Sequence, residues 1–186
     1  MTYTTNQRTH THCLDATDSV AREYGPEYAT IVDIMAHASQ GKGMERMAYD
    51  LERFKREQKY DYDLALSEIR AGRKRSHWIW YIFPQLKGLG RSDMATFYGI
   101  DGMGEAKAYL ADDYLRSHLV EINEALFALD EHDPVLIMGH IDAMKLRSSL
   151  TLFSQVPDAD PIFQKNLDKY FQGQADPITL KMLAEE

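Results

Sequence analysis

Residues 74–95, KRSHWIWYIFPQLKGLGRSDMA, decide how the rest of the chain is read. Trp78 to Phe83 is an unbroken apolar run holding both tryptophans of the sequence. Such a run belongs inside a core, and at six residues it is too short to span a bilayer. Periodicity alone leaves it open between strand and helix, because aromatic and β-branched residues favour the one and a buried run suits both. Pro84 stops either element. Ser76, ahead of the run, is a candidate cap for a short helix beginning at His77. The run gives way to a basic, glycine-bearing loop, Lys87-Gly88-Leu89-Gly90-Arg91-Ser92, and Ser92 is a second candidate cap. No acidic residue lies between Arg70 and Ser92, although the 186-residue chain carries a formal net charge of -8.

That overall charge argues against general attraction to nucleic acid or to an anionic membrane, and leaves room for one local anion site. A hydrophobic content of 44% and a charged content of 27% are those of a globular domain. One cysteine, Cys13, rules out an intrachain disulfide and fits a reducing cytoplasm. The N-terminus lacks the apolar segment of a secretory signal.

Residues 1–17 read as a flexible polar tail. His10, His12 and Cys13 within it lack the fixed surroundings that a zinc site needs, so no metal is expected. Residues 18–48 read as an N-terminal helical extension, broken at Gly25-Pro26 and able to pair with a protein partner. From residue 49 to residue 186 helical spacing dominates. Leu51, Phe54 and Gln58 mark one short helix, and Asp61 is placed to cap a second that Gly72 ends. Leu115, Leu119, Ile122 and Leu126 form a longer stripe. Asp133-Pro134, Asp160-Pro161 and Asp176-Pro177 each precede an apolar helical stripe, and Asp142 is placed to cap the helix around Lys145. The expected fold is all-α: a single multi-helix domain with the extra N-terminal segment.

The segments LERFKREQ, LSEIRAGRKRSHWIWYIFPQLKGLGRSDMATFYGI, KLRSSLTLF and FQKNLDKYFQGQADPITLKML, in that order, resemble the bacterial family called domain of unknown function 1810. The resemblance covers about residues 49–183 and leaves out those before residue 43. It implies a single, mostly α-helical domain, which turns the Trp78 run into a helix. It supplies no activity and no catalytic residues. Some members carry the name calpastatin, but such inhibitors are extended and disordered, whereas this chain is patterned to fold.

Two polar clusters are the candidate site. In the first, the amides around Gly88 and Gly90, the start of the helix after Ser92, and the cations Lys87 and Arg91 would hold a phosphate or carboxylate. In the second, Lys145, Ser148 and Ser149 share a helix face at i, i+3 and i+4, with Arg147 beside them. A pocket between the two would take a small anionic ligand, a nucleotide or phosphorylated metabolite. Ser76 and Trp78 or Trp80 would line it, and His77 would serve as acid or base if the protein is a hydrolase or transferase. The bland readings are a tight turn with solvated cations, a histidine bonded to backbone, and tryptophans in the core. The rival function is a non-catalytic protein-interaction module using the same aromatic and basic surface. HExxH, CxxC, GxSxG, P-loop and Rossmann spacings are all missing, so no cofactor is expected.

Overall fold

The computed structural model describes residues 49–186, which form one compact unit. The expected tail and N-terminal extension lie outside the described residues. Nine helices and no strand are found among the described residues, so the fold is all-α. None of these helices is long and apolar enough to cross a membrane.

Helix α1, Glu52–Arg70, is one continuous element and not the two expected. Phe54, Gln58, Tyr62, Ala65, Leu66 and Ile69 keep a single buried stripe through its length, with no glycine or proline between. Asp61 caps nothing; its carboxylate accepts the Tyr81 hydroxyl. The helix ends as expected at Gly72, whose φ of 69° is left-handed. The amides of Gly72 and Arg73 bond back to the carbonyls of Ile69 and Glu68, closing the last turn.

The apolar run becomes a short helix, α2, Ile79–Ile82, with Trp78 at its start and Pro84 beyond its end. The next segment returns through an isolated parallel bridge between Leu86 and Ile100 to helix α3, Asp93–Phe97. Ser92 caps α3 as expected, accepting from the Ala95 amide at 3.2 Å. Helix α4 is Gly102–Ala111 and α5 is Asp113–Phe127, separated only by Asp112. Helices α6, Pro134–Met138, α7, His140–Ser154, α8, Ile162–Phe171, and α9, Pro177–Ala184, complete the chain. The three aspartates before proline accept the amides of Val135, Ile162 and Thr179. Asp142 does not cap α7: the helix starts two residues earlier, after Gly139, and two lysines claim the carboxylate.

Helix α5 packs against α1 and α8, and α8 against α7, which also carries α6 and α9. Phe54, Tyr109, Phe153 and Phe163 are essentially inaccessible and share one core with Trp78. Arg53 and Glu105 form a buried ion pair at 2.7 Å between α1 and α4. The same guanidinium donates to the carbonyls of Phe97 and Gly99, holding the α3–α4 connection against α1.

Candidate functional site

Glu68, near the end of α1, organises the segment that leads into α2. Its carboxylate accepts the amides of Arg75 and Ser76, the Ser76 hydroxyl at 2.6 Å and the Trp78 indole N–H at 2.8 Å. Burial works against its charge, but the Arg75 and Ser76 amides, the Ser76 hydroxyl and the Trp78 indole prevail, holding the carboxyl down at about 2. This corrects the reading of Ser76 as a helix cap: α2 begins at Ile79 with no side-chain cap, because the hydroxyl is spent on Glu68.

Lys74 and Lys145 share one carboxylate. Their ammonium groups lie 2.7 and 2.9 Å from the two oxygens of Asp142. Burial disfavours the Asp142 charge, and the two lysines overcome it, keeping this carboxyl below its usual range. Lys74 also sits over the Trp78 ring at 4.8 Å, and Lys145 over the Trp80 ring at 4.7 Å. The two tryptophans therefore differ in environment. Trp78 is in the core with its N–H bonded to Glu68, whereas the buried Nε1 of Trp80 has no partner among the described residues. Trp80 and Lys145 line a hollow of about 10 Å³ with Gln85, Tyr98 and Gly99, just enough space for one water-sized group.

The other residues read from the sequence are spread out. His77, Lys87 and Arg91 are exposed and do not line the hollow. Gly88 adopts a φ of 98°, and a Cβ there would meet the Met182 side chain on α9 at 3.5 Å. Gly90 lies over the hollow's edge: a Cβ would come within 2.5 Å of the Ala95 Cβ and 3.3 Å of the Gln85 amide nitrogen. The Lys145 face of α7 serves two neighbours. Arg147 donates to the carbonyls of Gln174 and Ala175, and Ser148 to the carboxylate of Asp176, so both fasten the entry to α9. Ser149 is buried. Lys145 is thus the member of that cluster that meets the aromatic segment.

A second polar centre escaped the sequence. The His118 ring on α5 lies flat against Tyr62 of α1, centroids 3.7 Å apart and planes 12° from parallel. Tyr114 covers it at 4.1 Å. His118 Nδ1 is 3.0 Å from the Gln58 carbonyl oxygen. Gln58 spends its amide on the Tyr81 carbonyl and the Tyr109 hydroxyl, so its oxygen accepts and His118 Nδ1 carries the proton. Burial lowers the His118 pKa, against the pull of Glu121 and Asp63, so the neutral ring is favoured. Gln58 and Tyr62 show only as inward positions in the sequence; no local spacing ties them to a histidine some sixty residues on. Among the described residues, no group of three or more histidine, cysteine or acidic residues is arranged to hold a metal ion.

The family match takes in the tryptophan segment and the helices around it. The family model described as protein of unknown function (DUF1810) matches residues 48–183, and the chain belongs to that family. The crystal structure of a conserved hypothetical protein from Mycobacterium tuberculosis is similar, with a TM-score of 0.72 and 43% identity. The match covers 73% of this chain and 97% of that one. No curated protein matches the chain.

Proposed function

We propose that this protein binds a small anionic group in the hollow between α2 and α7, without catalysing a reaction on it. The observation that carries this reading is the indole N–H of Trp80, buried and without a partner among the described residues, on a ring whose face the Lys145 ammonium covers at 4.7 Å. A buried donor left unpaired costs about 1–3 kcal/mol, and an anion or water accepting from it recovers that. Lys145 and Lys74 share one carboxylate, so the trio carries a net positive charge. The hollow admits one carboxylate or phosphate oxygen, or a monatomic ion. A whole nucleotide requires the Gly88–Gly90 loop to move. His77 is exposed and outside the hollow, which leaves an acid–base step there without its residue. The single cysteine suits a reducing cytoplasm.

The test uses the two indole N–H signals of the protein in a proton–nitrogen correlation spectrum. Chloride, formate and phosphate are titrated at constant ionic strength. The Trp80 signal shifts saturably with at least one of them, and Lys145→Met abolishes the response. At a hundred times its dissociation constant that anion adds about 2.7 kcal/mol of stability. A titration in which neither indole signal moves, or in which Lys145→Met responds as the wild type does, refutes the reading. Protein docking then stands alone. Leu136, Ile141 and Met144 favour that second reading: each is more than half exposed, around the α6–α7 corner.

A further inference from the structure

We infer a second binding site, for a small zwitterion with an apolar side chain, of amino-acid or dipeptide size. It is a cleft of about 270 Å³ between the α4–α5 corner and the loop joining α7 to α8. That volume is just below the range typical of small-molecule pockets. The floor is apolar, made by Leu110, Val120, Val156 and Phe163.

The two walls carry opposite charge. Only Asp112 separates α4 from α5, and its carboxylate caps α5 through the Leu115 amide. Lys107, one turn before the corner, and Arg116, one turn after it, therefore reach the same wall. The other wall is residues 156–160, pinned by the buried Val156 and by Asp160, which accepts the Ile162 amide at the start of α8. Asp158 sits between these anchors at a φ of 59°, a conformation that aspartate tolerates better than most residues. The loop thus presents Asp158 and Asp160 opposite Lys107 and Arg116.

The opposed charges do not close on each other. Among the described residues, no ion pair within 4.0 Å crosses the cleft. Arg116 pairs instead with Asp113 on its own helix, an exposed contact of little energy. A simple anion in the cleft meets the repulsion of the aspartates, and a simple cation that of Lys107 and Arg116. A molecule carrying both an ammonium and a carboxylate answers both walls, and its apolar side chain covers the floor.

The test is a titration of the nitrogen-15-labelled full chain with L-leucine and with the dipeptide leucyl-leucine. N-acetyl-leucine and leucinamide, each missing one charge, are the controls. The zwitterions give saturable shifts at Lys107, Arg116 and Asp158 to Asp160. Each singly charged control binds at least about tenfold more weakly, as expected for loss of one charge-assisted contact. Asp158→Asn, which keeps a residue suited to positive φ, also weakens binding by about tenfold or more while the remaining signals stay in place. Tighter binding of the dipeptide upholds the site with a wide charge spacing, and tighter binding of leucine upholds it with a narrow one. The inference is overturned if neither zwitterion gives saturable shifts at millimolar concentration. Equal binding of N-acetyl-leucine, or shifts confined to the Trp80 hollow, overturns it as well.

Discussion

At the residue scale, Glu68 has the most to lose. Replacing it with alanine strands the amides of Arg75 and Ser76, the Ser76 hydroxyl and the Trp78 indole around an empty position. Some of these reach water after relaxation; the Trp78 indole, in the core, does not. We expect Glu68→Ala to cost about 3 kcal/mol, measured by urea unfolding, the upper part of the range for an unsatisfied buried group. The same carboxylate predicts a pH dependence. Its folded pKa of about 2 is below the ordinary 4.5, so the unfolded chain takes up the proton first. Its contribution is complete above about pH 4.5 and is lost as pH falls toward 2. The wild-type and Glu68→Ala stabilities should therefore converge over that window, and parallel curves would contradict the assignment. In the sequence Glu68 is one acidic residue among 29, and Ser76 is the residue that draws attention. Ser76 reads as a cap because a serine precedes an apolar run; what it does instead depends on a carboxylate eight residues back, across a helix end.

At the element scale, α9 is held by the residue that caps it. Asp176 accepts the Thr179 amide and hydroxyl and, from α7, the Ser148 hydroxyl. Asp176→Ala should destabilise the protein by about 1–2 kcal/mol, the upper half of the range for losing a cap. A hydrogen-exchange experiment localises the effect: amides of residues 177–184 should lose protection before those of α1. Uniform loss of protection would mean that α9 is not a separate cooperative element. The three Asp-Pro starts were legible because capping is local: the carboxylate and the amides that it accepts are within three residues. Asp142 has the same local chemistry but caps no helix. Lys74 lies far back in the chain, and nothing in the helix sequence announces that it and Lys145 will claim both oxygens. The expected break at Asp61 failed for the converse reason. An aspartate inside an unbroken apolar stripe is outvoted by the burial of Phe54, Tyr62, Ala65 and Ile69 on one face.

At the scale of the whole molecule, Phe153 joins three helices. Its ring is fully buried on α7, with Tyr109 of α4 5.2 Å away and Phe163 of α8 5.8 Å away. Phe153→Ala should cost about 3–5 kcal/mol and lower the unfolding midpoint of every described helix together. Separate transitions for α1–α5 and α7–α8 would show two cores instead of one. The sequence by itself determined the helical class, the starts of four of the nine described helices and the burial of the Trp78 run. Period, capping and turn chemistry act over a few residues and can be read along the chain. Only the tertiary structure decided which charges meet. It gave Asp142 to two lysines, left the Trp80 N–H without a partner among the described residues, spent Arg147 and Ser148 on α9, and wedged His118 between two tyrosines. Those outcomes depend on which helix faces end up within 3 Å of one another, and side chains compete for partners only once the core has brought them together.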